Sequence, residues 1–326
     1  MTRRSGRALL AVAFIAALAT TDASAQNFPS PSRPITIMVG LAAGGITDVT
    51  TRVYAEVVSR NMGQRIVVEN RTGAGGGVAA AAVQNAPPDG YTLLVFSGAQ
   101  HATVPAVSNA NYDPVKGFAP ITYLFNSVVV LAVPADSPVK TLAELHEWGR
   151  KKPGGLTFGT PGLGSPSHLL GAKILLAEKV PSQTVHYRGG APMMADLITG
   201  RVDFGWPTLN TSRVYFADGK LRALALDADT RWGPLPDTPT LVELGLAKER
   251  VATWFGIAAP AGTPRAIVDK LREEFIKASK DPELQKKLAA NGTPTQTSTP
   301  EQMGQSMAEE WETIQKLVNV LNLRQQ

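Results

Sequence analysis

Three stretches of the sequence combine residue types suited to holding an anion. They are Gly40-Leu41-Ala42-Ala43-Gly44-Gly45-Ile46-Thr47-Asp48, Thr160-Pro161-Gly162-Leu163-Gly164-Ser165, and Tyr187-Arg188-Gly189-Gly190-Ala191-Pro192. Each follows an apolar, strand-like run and precedes a helical pattern. Glycine lets backbone N–H groups approach a ligand without a Cβ in the way, and a helix N-terminus adds partial positive charge. Each turn is therefore a candidate cradle, and the ligand class that fits is a small carboxylate. Thr47 and Asp48 are both competent helix caps. A carboxylate beside a bound carboxylate is repulsive, so Asp48 is assigned to capping and Thr47 to the ligand or a bridging water. Ser165 followed by Pro166 reads as an N-cap with proline at the first helical position.

Other chemistries are poorly supplied. The chain has no cysteine, which removes disulfides, thiolate nucleophiles and Cys-ligated metals. Its four histidines, His101, His146, His168 and His186, show no metal-ligand spacing, so neither a metal nor a cofactor is expected. His146 lies in a polar helical pattern and is expected to be solvated; His101 and His168 fall where a cleft would form. Hydrolysis is the competing class, but Gly162-Leu163-Gly164-Ser165-Pro166 puts serine one place late for a nucleophile elbow, and the proline after it lacks the N–H of an oxyanion hole. A fourth glycine cluster, Gly73-Ala74-Gly75-Gly76-Gly77-Val78, imitates a dinucleotide fingerprint poorly, since its sixth position is valine and no acidic residue ends the next strand. A tight turn and helix start is the reading preferred there.

The elements that would position these turns alternate. Strands are expected at 35–39, 66–68 and 92–96, with helices at 48–62 and 78–84 between them. A second set follows, with strands at 128–133, 156–159, 184–187 and 202–204 and helices at 142–150, 167–178 and 193–199. Strands at 221–226 and 254–258 precede helices at 265–279, 282–290 and 300–323. The rhythm reads as βαβ units forming parallel sheets in two α/β halves. The last helix carries Met303, Met307, Trp311, Ile314, Val318 and Leu321 at steps of three and four, one buried stripe. No low-complexity linker separates the halves. The lobes are placed at residues 26–126 with 228–326 and at 127–227, the chain crossing near Asn126–Ser127 and Leu226–Asp227.

Residues 1–25 read as a secretory signal peptide, with Arg3, Arg4 and Arg7, an apolar run at 8–19, and Ala23-Ser24-Ala25 before the expected cleavage after Ala25. The apolar run is too short to span a bilayer, which takes about 20 residues. Over 326 residues, 44% are apolar and 18% charged, with net charge +5, values ordinary for a globular protein. No basic stripe interleaved with aromatics occurs, so nucleic acid is not an expected partner.

The chain resembles the Bug, or TctC-like, extracytoplasmic solute-binding proteins of tripartite tricarboxylate transporters. The likeness runs through Phe28-Pro29-Ser30, Ala42-Ala43-Gly44-Gly45 with Thr47-Asp48, Val67-Val68-Glu69-Asn70-Arg71, Pro88-Asp89-Gly90-Tyr91, Tyr112-Asp113-Pro114, Gly164-Ser165 with His168, Gly200-Arg201-Val202-Asp203, and Trp254-Phe255-Gly256. It implies an α/β, two-lobed, type II-like periplasmic binding protein, a Venus flytrap with a helix-flanked sheet in each lobe and no enzymatic activity. It also implies a periplasmic receptor, expected as a monomer, that delivers a carboxylate to TctA/TctB-like membrane subunits or to a sensor kinase. Carried over by position, the cleft would be lined by Leu41, Ala42, Ala43, Gly44, Thr47, Ser97, His101, Gly164, Ser165, His168, Tyr187, Arg188, Gly190, Ala191, Asp203 and Trp206. Trp206 stacking on a ring, with His101 or Arg188 meeting a second carboxylate, would suit an aromatic dicarboxylate such as a phthalate isomer.

Overall fold

The computed structural model describes residues 28–320 apart from 109, 163–164, 188, 250–252 and 291–292. The expected signal peptide, Leu321, and the expected ligand contacts Gly164 and Arg188 lie outside the described residues. Two five-stranded sheets, each flanked by helices, make the two lobes.

The first sheet has the order β2-β1-β3-β10-β4, with β1 (Ile35–Val39), β2 (Ile66–Asn70), β3 (Thr92–Ser97), β4 (Phe118–Asn126) and β10 (Trp254–Pro260). Side chains alternate across it as the period of two requires. Leu93 and Val95 join Ile35, Ile37 and Val39 on one face, under Tyr54 and Val58 of α1 (Ile46–Met62) and Leu271 and Phe275 of α8 (Arg265–Ser279). Leu94 and Phe96 point the other way, onto Ala79, Ala80 and Val83 of α2 (Gly77–Gln84). The glycine cluster before α2 is structural: Gly76 has φ +98°, and a Cβ there would collide with the side chain of Gln100. Gln100 Nε2 donates to the Gly76 carbonyl.

The second sheet has the order β7-β6-β8-β5-β9, with β5 (Val129–Pro134), β6 (Leu156–Thr160), β7 (Ser182–His186), β8 (Phe204–Gly205) and β9 (Leu221–Asp227). Leu131, Val133, Phe158 and Phe204 pack under α4 (Leu142–Lys151) and α5 (Pro166–Ala177). Ala132 faces Met193 and Leu197 of α6 (Gly190–Ile198) on the opposite side. His146 on α4 is buried, with Nδ1 3.7 Å from a Glu178 oxygen, which corrects the expectation that it is solvated. The apolar face of α4 is wide enough to take it in.

Both sheets are mixed where parallel ones were expected. β10 runs antiparallel to β3 and β4, and β5 runs antiparallel to β8 and β9. β4 and α7 (Leu209–Ala217) were also not anticipated. A π-type turn at Ala99–Thr103 leads into the short α3 (Val104–Val107).

The connections fix how the sheets face each other. β4 runs parallel to β1 and β3, because both β3 and β4 are antiparallel to β10, so all three end at one edge. Ser127 and Val128 alone separate β4 from β5, which starts at the edge where its antiparallel neighbours β8 and β9 finish. The carboxyl edges of the two sheets therefore look at one another across the Ser127–Val128 crossing. That crossing is pinned by Ser127 N–H donating to the Thr253 carbonyl at 3.0 Å. From the far side, Arg213 on α7 donates to the Ala290 carbonyl at the end of α9 (Pro282–Ala290), a bond between lobes. The last helix, α10 (Pro300–Val320), buries Met303 and Met307 against the first sheet and Ile314 and Val318 in the core of the second.

Candidate functional site

The first turn leaves β1 at its carboxyl end and enters α1. Leu41, Ala42, Ala43 and Gly44 are exposed, and Gly44 has φ +77° with open space where a Cβ would stand. The N-cap of α1 is Gly45, with no side chain to bond the first-turn N–H groups. Asp48 does not cap them. One of its oxygens accepts from Gly44 N–H at 2.8 Å, the other from Arg52 Nε at 2.9 Å. Burial works to raise its pKa, but the bonds from Arg52 and Gly44 outweigh that and hold the carboxyl below the usual range. Thr47 is buried, and its hydroxyl has no partner among the described residues.

The second and third turns meet within the other lobe. β6 and β7 pair in parallel with Thr160 opposite His186, so both stand at the carboxyl edge. Tyr187 N–H then donates to the Thr160 carbonyl and Gly189 N–H to the Pro161 carbonyl, each at 2.9 Å, stitching the turns side by side. Gly189 sits at φ +122° and ψ 173°, a region essentially confined to glycine, and is the N-cap of α6 with no side-chain acceptor. Gly190 and Ala191 follow in the open, and a Cβ on Gly190 would meet nothing within 4 Å. Ser165 caps α5, its Oγ accepting from His168 N–H at 3.2 Å. The hydroxyl thus serves as the helix cap that the sequence suggested. Tyr187 is half-buried and donates its hydroxyl to Asp196 at 2.8 Å.

Several expected contacts are turned away from the gap. His101 is fully buried in the π-type turn, its Nδ1 2.8 Å from the Pro114 carbonyl and its Nε2 2.6 Å from the Met307 carbonyl. It clips that turn to α10, with both ring nitrogens engaged. Burial, opposed by those two carbonyls, holds its pKa below the usual histidine value. Ser97 is buried and bonded to Gln100 through its hydroxyl. Asp203 lies before β8, away from the carboxyl edge, where it accepts from Lys152 Nζ, Thr157 N–H and Thr157 Oγ1. Trp206 is 1% exposed in the core under α5, which leaves no ring face for a solute.

His168 is also buried, its ring 4.7 Å from that of His186 and perpendicular to it. Burial first, then the neighbouring His186, push His168 down to about 4. His186, exposed at the end of β7, was not among the expected contacts. Its signal was its place as the penultimate residue of the strand expected at 184–187, immediately before the third turn.

A cavity of about 1530 Å³ opens beside β4 and β9, between Tyr123, Trp254 and Glu310 on one side and Val128 and Phe216 on the other. None of the expected contacts lines it. Burial raises Glu310 there to about 7, against a bond from Trp254 Nε1 of 2.8 Å.

Residues 50–323 match the family described as tripartite tricarboxylate transporter family receptor (TctC). Among solved structures, the chain is similar to the periplasmic binding protein BugD, at 31% identity and TM-score 0.74 over 91% of this chain and all of that one. It is similar to MatC of Rhodopseudomonas palustris with bound malate, at 30% identity and TM-score 0.73, covering 89% of this chain and 100% of that one. A third, R. palustris Rpa4515 with adipate, shows 32% identity and TM-score 0.76, with 90% and 97% covered.

Proposed function

The chain belongs to the tripartite tricarboxylate transporter receptor family, and from that premise we propose that it is a periplasmic receptor that captures a small aliphatic dicarboxylate between its lobes. The captured solute passes to the membrane subunits of a transporter of that type. The observation that carries the reading is the pair of uncapped helix N-termini, α1 behind Gly45 and α6 behind Gly189, one on each of two facing sheet edges. Neither N-cap supplies a side-chain acceptor among the described residues, and each helix start carries the positive end of a helix dipole, worth about 0.3–1 kcal/mol toward an anion at an exposed end. The aliphatic class follows from Trp206: with that ring inside the core, the stacking contact that suited a phthalate isomer is gone. Malate and adipate, the solutes of two structural neighbours, are the natural first probes.

The test is a thermal-shift screen of malate, adipate, terephthalate, glucose and arginine. A solute at about 100 times its Kd adds roughly 2.7 kcal/mol, a readily visible rise in Tm. The expected result is a rise with aliphatic dicarboxylates. A rise confined to glucose or arginine would refute the anion site, and one confined to terephthalate would refute the aliphatic assignment.

A further inference from the structure

We propose that His186 is a solute-contacting residue that reads the charge of the bound carboxylate by taking up a proton as the solute binds. The inference rests on the receptor reading above and adds to it a specificity-determining side chain.

Placement comes first. His186 ends β7 at the carboxyl edge, opposite Thr160 and next to the stitched second and third turns, and its ring lies against His168 at the start of α5, beside those turns. Its residue is exposed, and among the described residues only Nδ1 is engaged, 2.8 Å from Thr160 Oγ1. Nε2 is left for a solute oxygen.

The hydrogen bonding then permits both protonation states. Thr160 Oγ1 has two partners, His186 Nδ1 at 2.8 Å and the Gly162 carbonyl at 3.4 Å. With a neutral ring, the hydroxyl donates to Nδ1 and Nε2–H donates outward. When the ring takes a second proton, Nδ1–H donates to Oγ1 and the hydroxyl proton turns to the Gly162 carbonyl. No bond is broken, and the charged ring is held against the glycine turn. A fixed arginine would attract anions at every pH; an imidazole in this setting becomes cationic when a carboxylate arrives.

The surrounding groups leave the proton to His186. His168, on the first turn of α5, meets it edge to face, and burial keeps that ring neutral down to about pH 4. Tyr187 and Asp196 are bonded to each other. Burial holds the empty protein's His186 below the ordinary histidine value. A bound carboxylate raises it. The sign follows: the added affinity is complete below the pKa of the empty protein and is lost as pH rises through the pKa of the complex.

The experiment is calorimetric titration of malate and adipate into the wild type and His186→Gln at pH 5.5 and 7.5, in buffers of different ionisation enthalpy. Comparing the two proteins on one solute cancels the solute's own ionisation. The wild type is expected to take up part of a proton on binding near pH 6 and to gain at least threefold more affinity than the variant between pH 7.5 and 5.5. Equal proton uptake and equal pH dependence in the two proteins would overturn the inference while leaving the receptor reading intact. Failure of the wild type to bind any carboxylate at either pH would instead remove the receptor reading. If His186→Gln binds nothing, Thr160→Val keeps the ring but removes the acceptor of the charged form. Its pH profile is expected to move to lower pH, and an unmoved profile overturns the inference.

Discussion

At the scale of single residues, a side chain's partners decide whether it can meet a solute, and His186→Gln is predicted to flatten the pH dependence of malate affinity in calorimetric titration. His101, Ser97 and Trp206 do lie near the carboxyl ends of β3 and β8, where a cleft-lining residue belongs. Their side chains turn inward because the π-type turn carries His101 onto α10, and because the two-residue β8 puts Trp206 into the core under α5. Neither twist has a signature in composition or spacing. Asp203 illustrates the same limit: the resemblance carries it into the cleft by position alone, yet it satisfies a backbone N–H, a hydroxyl and Lys152. Asp203→Ala is therefore predicted to cost about 2–4 kcal/mol in urea unfolding, because it strands a buried donor and one half of an ion pair. Solute affinity should stay within twofold. Unaltered stability with lost binding would return Asp203 to the site.

At the scale of elements, the helices with strong periodicity were readable almost to the residue, α8 and α9 among them, since apolar spacing and flanking proline define both ends. β4 escaped because Pro120 interrupts its apolar run. The structure tolerates that proline by making β4 the edge strand, with register irregularities against β10. Strand direction escaped for a different reason: alternation of apolar residues is identical for parallel and antiparallel neighbours, and β10 is reversed only because the chain re-enters the first sheet from the crossing. The glycine turns, by contrast, were visible, and α6 offers a clean test of their role. Gly190→Leu places a side chain in open space at an ordinary φ, so stability should change by no more than about 0.5 kcal/mol while solute affinity falls at least tenfold. Undiminished affinity, measured by titration, would take the third turn out of the site.

At the scale of the molecule, α10 alters what a lobe means here. The boundary expected at 228–326 for the first lobe assigned this helix to one side, whereas its 21 residues, about 31 Å of helix, contribute Met303 and Met307 to one core and Ile314 and Val318 to another. Two lobes sharing a helix should melt together. Urea unfolding followed by tryptophan fluorescence and by circular dichroism is predicted to give one coincident transition in the wild type. Val318→Asp, which buries an unpaired charge in the second core, should separate the two signals. Two resolved transitions in the unaltered protein would contradict this.

The shared helix also bears on how one would watch the molecule work. In the receptor we propose, the lobes would close about an axis through the Ser127–Val128 crossing and the shared helix, so a fluorophore attached along α10 would change its distance from a partner dye very little. Leu41 on one rim and Leu176 on the opposite half are both solvent-accessible and lie off that axis, so a dye pair there would turn the same rotation into a large optical readout.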